Sequence, residues 1–152
     1  MTSTELKQFL AKAKQKTYAS KLSIPKRTED KGKQYTVNIG ELTYTDLYHG
    51  EKNFSGKEMV LLKGTPIWSM VYFGGTQDNS INENKVYGFL KSCLMNLPQE
   101  FPIRGPKEFS KGEFKYTNTW EGDLDNFKGE EKIYITGKLV YTLNYSGGNI
   151  SF

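Results

Sequence analysis

The sequence is poor in the residues that bind metals and form disulfides. Its 152 residues include one histidine, His49, and one cysteine, Cys93. An intramolecular disulfide is therefore excluded, and a zinc site would need unusual help from carboxylates. A catalytic triad would have to use His49, which falls in a predicted hairpin turn, and Cys93 falls on the apolar stripe of a predicted helix. We expect no metal site, no cofactor and no catalytic residue.

Long apolar runs are also absent. No segment approaches the roughly 18 residues that span a bilayer, and residues Met1 to Glu5 lack the basic head and apolar stretch of a signal peptide. With a single cysteine, the sequence favours a soluble cytoplasmic protein without membrane contact. The net charge of +4 comes from 21 basic and 17 acidic side chains. Because the lysines are dispersed along the chain, nucleic acid is an unfavoured partner.

Two amphipathic helices are predicted, each followed by polar loops. Thr2 and Glu5 form a capping-box pattern ahead of an apolar stripe, so the first helix should run from about Thr4 to Ala19. The second helix should end before Pro98. It has a one-sided apolar stripe made of Val86, Phe89, Leu90, Cys93 and Leu94.

A set of strand-forming segments occurs twice. Gly40–Gly50 aligns with Gly112–Gly122, and Phe54–Glu58 aligns with Phe127–Glu131. The two copies are offset by about 72 to 77 residues. A repeat of this length, present in only two copies, is too long for a solenoid and indicates a duplicated half-domain. Three more pairs align: Trp68 with Tyr141, Tyr72 with Tyr145, and the loop Ile24–Arg27 with the loop Phe101–Arg104.

The alternation of side chains along these segments predicts an antiparallel sheet with one aromatic face and one polar face. Short turns at His49–Gly50 and Lys63–Gly64 favour hairpins. The predicted fold is α+β, with an antiparallel sheet from two duplicated helix-β-β-β units related by a pseudo-two-fold axis. Both helices should cover the apolar face. Residues 1–152 should form one domain, with repeat halves at about 1–76 and 77–152.

Two glutamates, Glu58 and Glu131, fall at aligned positions on the aromatic face. A buried charge is costly unless it is paired, so each needs a partner. One interpretation is an internal ion pair with Arg27 or Arg104, or hydrogen bonds from tyrosine hydroxyls. The other places one or both glutamates at the mouth of a cleft between the halves, where they would recognise a cation or a hydrogen-bond donor.

Aromatic rings are abundant, with ten tyrosines, nine phenylalanines and two tryptophans. They either pack in the core or form pocket walls that stack on a planar or cationic ligand. Asp46 aligns with Asn118, so the two copies differ in charge there. The candidate ligand-binding residues are Glu58, Glu131, Trp68, Tyr72, Tyr48, Trp120, Tyr145 and Arg104.

Several short motifs occur along the sequence at characteristic spacings. They are Phe9-Leu10, Ala13-Lys14, Thr17-Tyr18-Ala19, Phe54-x-Gly56-x-Glu58, Pro66-x-Trp68-Ser69-Met70-x-Tyr72 and Arg104-Gly105-Pro106. With these motifs the sequence resembles an uncharacterised bacterial and archaeal family of domains of unknown function, whose members occur alone or behind helix-turn-helix regulator domains. The resemblance covers nearly the whole chain apart from residues 23–34, implies a ligand-sensing or partner-binding module, and transfers no established site.

These features favour a non-catalytic small-molecule-binding or sensor-type domain with an aromatic cleft that contains glutamate. The expected ligand is a planar or lipophilic cation, because ring faces and carboxylates both attract positive charge. Two alternatives stay open. One is a protein-interaction module that uses an exposed sheet edge or face, and the other is a small hydrolase that uses the paired glutamates.

Overall fold

The computed structural model describes residues 1–17 and 23–152. Within these residues two helices and nine strands form a mixed α+β fold. The helices are α1 (Ser3–Gln15) and α2 (Glu83–Leu94). The strands are β1 (Lys26–Arg27), β2 (Lys33–Ile39), β3 (Leu42–Gly50), β4 (Asn53–Leu62), β5 (Thr65–Thr76), β6 (Glu108–Lys111), β7 (Phe114–Asp123), β8 (Asn126–Ile135) and β9 (Lys138–Asn149).

The capping box of α1 is confirmed. The Glu5 backbone N–H donates to Thr2 Oγ1 at 3.2 Å, and the Thr2 backbone N–H donates to Glu5 Oε2 at 2.7 Å. The helix ends at Gln15, and its predicted end at Ala19 lies outside the described residues. None of the helices in the described part of the chain is both long and apolar enough to cross a bilayer.

All nine strands belong to one antiparallel sheet in the order β1-β2-β3-β4-β5-β9-β8-β7-β6. The prediction of three strands after each helix was wrong, because β2 and β6 extend the sheet at its two outer sides and β1 adds a short edge. The segments that form β1, β2 and β6 were predicted as polar loops. Yet β2 alternates, with Tyr35 buried and Thr36 exposed, as a strand with one wet face does.

Tight turns join the long strands. Lys63 and Gly64 both have positive φ, at 51° and 84°, which is the pattern of a two-residue hairpin turn. The turn predicted at His49–Gly50 was misplaced, because β3 continues through Gly50, which pairs with Phe54 of β4. Gly50 tolerates its φ of 99° because it has no side chain.

One core joins both helices to one face of the sheet. Leu6, Phe9 and Leu10 of α1 belong to the same buried cluster as Val86 and Leu90 of α2. The sheet residues of this cluster include Tyr44, Val60, Trp68, Met70, Tyr116, Ile133, Tyr141 and Leu143. On the opposite face, Val71 and Phe73 of β5 are exposed.

Candidate functional site

A cavity of about 380 Å³ lies between the two helices and strands β3, β4 and β5. The segment after α2 closes one side with Leu97, Ile103 and Arg104. Rings dominate its wall, and Phe54 packs edge-on against Tyr72 with 6.1 Å between ring centroids. The aromatic wall consists of Tyr44, Tyr48, Phe54, Tyr72 and Tyr87.

Two carboxylates lie side by side at the polar end of this cavity. Asp46 on β3 and Glu58 on β4 are cross-strand partners, and both are buried. Lys14 of α1 places its Nζ 2.6 Å from Glu58 Oε2 and donates a hydrogen bond of 2.5 Å to the carbonyl of Ile103. Tyr72 donates from its hydroxyl to Asp46 Oδ1 at 2.7 Å. Glu58 therefore has a cationic partner, whereas Asp46 is held by a neutral donor.

Burial alters the ionisation of this end of the cavity. Burial and the adjacent charge of Glu58 raise the pKa of Asp46 from 3.8 to about 7. Burial also lowers the pKa of Lys14, against the opposing influence of Glu58. Because burial and the neighbouring carboxylates raise the pKa of Tyr44 and Tyr72 well above the usual range, both phenols stay protonated. Asp46 thus has a pKa close to neutral pH.

Gly56 makes room for the ring that orients Asp46. It lies opposite Tyr72 in the β4–β5 pair, and a Cβ at this position would approach the Tyr72 ring to 2.3 Å. The absence of a side chain lets the ring cross β4 and bring its hydroxyl to Asp46 on β3.

The second glutamate is enclosed in an internal network. Glu131 has no exposed surface. Arg104 Nη2 lies 2.7 Å from its Oε1, Tyr141 donates to the same oxygen at 3.2 Å, and Tyr116 donates to Oε2. The predicted ion pair between Arg104 and a glutamate is confirmed. Arg27, the other candidate partner, is exposed on β1.

The loop before β6 completes this network. Its residues Phe101–Gly105 are buried, and the Asn118 side-chain amide donates to the Gly105 carbonyl at 2.9 Å. Tyr145 donates to Asn118 Oδ1 at 2.8 Å. The loop thereby fills the space over the Asn118–Glu131 cross-strand pair. Ile24, in the loop that aligns with it in sequence, is 91% exposed.

The structure brings four of the eight predicted site residues together at the cavity. Glu58, Tyr48, Tyr72 and Arg104 line it. Arg104 also lies over the Tyr72 ring, with 5.8 Å from its Cζ to the ring centroid, so one arginine contacts both polar networks.

The other four residues lie elsewhere. Glu131 is buried with its partners, so of the two glutamates only Glu58 lines the cavity. Trp68 is fully buried and donates from Nε1 to the Leu124 carbonyl at 2.9 Å. Trp120 stacks on Phe101 of the loop before β6, with 4.8 Å between ring centroids, and Tyr145 is buried in the core. Burial in the core and pairing with the loop before β6 account for this separation.

Two buried charged residues of the cavity were missing from the sequence-based set. Lys14 directly follows Ala13 on the buried stripe of α1, and a buried lysine needs an anionic partner. Asp46 lies on the aromatic face and differs in charge from Asn118, a difference visible in the sequence. In the described part of the chain, no group of three or more His, Cys, Asp and Glu side chains could hold a metal ion.

Comparison with known proteins identifies a family. A sequence model described as Domain of unknown function (DUF5680) matches residues 46–150, more than two thirds of the chain. No curated protein sequence and no solved structure matches the chain. The matched range includes Asp46, Glu58 and Arg104 of the cavity. The chain therefore belongs to the DUF5680 family of domains of unknown function.

Proposed function

We propose that this domain binds a small organic molecule in the cavity between α1, α2 and β3–β5, and that it does so without catalysing a reaction. The observation that carries the proposal is the cavity of about 380 Å³ with five aromatic rings and a buried carboxyl group, Asp46. This volume is within the range of small-molecule sites, which combine apolar walls with a few placed polar groups. A sensor-type role is compatible with such a site.

The comparison of the two halves supports the proposal. We infer that they arose by duplication, since Asp46 pairs with Glu58 as Asn118 pairs with Glu131. Tyr72 and Tyr145 also lie opposite each other where β5 meets β9. The C-terminal half fills the space over its cross-strand pair with its own loop, whereas the described residues of the N-terminal half leave the corresponding space open. An open space over one pair, when a loop fills the same space over the aligned pair, favours a ligand site.

Catalysis by the paired glutamates has less support. A carboxylate pair that performs acid–base chemistry must reach one substrate. Glu131 is enclosed by Arg104 and two tyrosines, and Glu58 is paired with Lys14. The protein-interaction alternative is favoured by one observation, the exposed Val71 and Phe73 on the outer face of the sheet, at 51% and 63%.

A ligand panel combined with a cavity-filling variant tests the proposal. Cationic, neutral and anionic aromatic compounds would be screened by thermal shift and by titration calorimetry. Leu97→Trp places a large ring at the cavity wall, and Leu139→Trp is the matched control because Leu139 is partly exposed and outside the cavity. We expect one-to-one binding that Leu97→Trp weakens at least tenfold and Leu139→Trp leaves unchanged.

Three results would contradict the proposal. If no compound binds, or if Leu97→Trp leaves binding intact, the cavity is not the site and the exposed face on β5 becomes the better candidate. Turnover of an ester in the same panel would favour a hydrolase instead.

A further inference from the structure

Among the described residues, charge pairing around the cavity leaves one buried carboxyl group, that of Asp46, without an ion pair. Lys14 is paired with Glu58, and Arg104 is paired with Glu131. Asp46 accepts a hydrogen bond from Tyr72 at Oδ1, and its Oδ2 makes no hydrogen bond or ion pair to the described residues. Asp46 is only 6% exposed. A buried carboxylate without a cationic partner is an unfavourable arrangement that a bound cation would relieve.

The surroundings of Asp46 fit an organic cation. The rings of Tyr44, Tyr48, Tyr72 and Phe54 line the same cavity, and ring faces attract cations most strongly where water is excluded. An organic ammonium ion with an apolar or aromatic body would place its charge at Asp46 and its body against these rings. A metal ion would find too few oxygen ligands, because Glu58 is committed to Lys14.

Resting on the proposed function, we infer that the ligand is an organic monocation anchored by Asp46, and that its binding displaces a proton from this residue. The step is an exchange: the protonated carboxyl group releases H⁺ to solvent, and the carboxylate pairs with the ligand's ammonium group. Asp46 is thus both the anchor and the group that determines the preferred ligand charge.

The groups that face Asp46 fix the direction of the pH dependence. They are Lys14 of α1, Tyr35 of β2, Tyr44 and Tyr48 of β3, Glu58 of β4, Tyr72 of β5 and Arg104 of the loop before β6. Burial and Glu58 favour the protonated form of Asp46, and its pKa of about 7 lies within the physiological range. A cation that needs the carboxylate must compete with the proton below this pH, so its affinity should rise with pH.

The N-terminal and C-terminal halves supply a matched variant. At the aligned position, Asn118 Oδ1 accepts a hydrogen bond from the Tyr145 hydroxyl, as Asp46 Oδ1 accepts one from the Tyr72 hydroxyl. Asp46→Asn therefore keeps a hydrogen-bond acceptor of the same shape and removes the charge. Glu51→Gln is the control, because Glu51 lies at the cavity mouth with 84% of its side chain exposed.

The test measures the binding of three probes of similar shape by titration calorimetry between pH 6 and pH 8. The probes are 2-phenylethylammonium, 2-phenylethanol and 3-phenylpropanoate. We expect the ammonium probe to bind best at pH 8, with about tenfold lower affinity at pH 6, since a carboxyl with a pKa near 7 is mostly protonated there. Asp46→Asn should lower its affinity more than tenfold and abolish the pH dependence, and Glu51→Gln should preserve both.

The possible failures are distinguishable. Equal or tighter binding of the alcohol or the propanoate, or ammonium binding that neither pH nor Asp46→Asn alters, would overturn this inference and leave the proposed pocket intact. If none of the three probes binds to the wild-type protein at any pH, the inference is overturned, and failure across the wider panel overturns the proposed function with it. If Asp46→Asn does not fold, the pH dependence of the wild-type protein decides alone.

Discussion

The Asp46→Asn substitution should stabilise the ligand-free protein, and the gain should grow with pH. Burial and Glu58 raise the pKa of Asp46 from 3.8 to about 7. Between these two values the folded protein keeps a proton that the unfolded chain has released. A folded state that binds more protons than the unfolded state loses stability as pH rises, and the loss is complete above the folded pKa. Asparagine has no titrating proton, so the variant avoids this loss.

The magnitude follows from the two pKa values. At about 1.4 kcal/mol per pH unit, a rise from 3.8 to about 7 corresponds to about 4 kcal/mol of lost stability above neutral pH. Part of this loss has already accumulated at pH 5. The stability difference between the variant and the wild type should therefore increase by about 2.5 kcal/mol between pH 5 and pH 8.

Urea unfolding at a series of pH values, followed by circular dichroism, measures this difference. The control is Asp125→Asn, which removes a carboxylate from an exposed loop and should change stability by the same small amount at every pH. A difference between Asp46→Asn and the wild type that is equal at pH 5 and pH 8 would refute the reasoning. It would show that the folded protein carries Asp46 as a charged group throughout.

Two further predictions concern other buried groups. Arg104→Ala should lower the free energy of unfolding by about 3 kcal/mol or more, because it leaves Glu131 buried without its cation; Arg27→Ala, at an exposed position, should have little effect. An unchanged urea midpoint for Arg104→Ala would show that the tyrosines alone satisfy the glutamate. Cys93 is fully buried and burial raises the pKa of its thiol to about 12, so an aromatic disulfide reagent should modify it far more slowly in native protein than in urea. Equal rates would show that the core around α2 opens readily.

Much of the local structure could be predicted because its causes are local. Helix α1 begins where Thr2 and Glu5 can bond each other's backbone, and this needs only residues three apart. The faces of β3 and β7 follow from alternation, which put Tyr44 and Tyr116 together in the core. The side chain of Cys93 is buried, as its place on the stripe of α2 predicted.

The limits of the strands were harder to predict. The two residues of β1 and the four of β6 carry too few side chains to show a period. Such strands exist because the backbone donors and acceptors at the edges of β2 and β7 are satisfied by a neighbouring chain segment. Each pairs with the next strand along the chain, so its formation depends on that strand being held at the edge of the sheet.

The partners of the buried carboxylates show the division between sequence and tertiary structure. The sequence determined that Glu58 and Glu131 lie on the apolar face and that each needs a counter-charge. The tertiary structure decided that Glu131 obtains Arg104 from a buried loop and that Glu58 obtains Lys14 from α1.

It also decided that the cavity forms over the Asp46–Glu58 pair and not over the Asn118–Glu131 pair, although aligned residues are present in both halves. The loop 101–105 fills the space over its cross-strand pair because it packs inward, whereas Ile24 in the aligned loop is exposed. The reason is that burial of a loop depends on contacts summed over distant parts of the chain, whereas the face of a strand residue is set by its immediate neighbours.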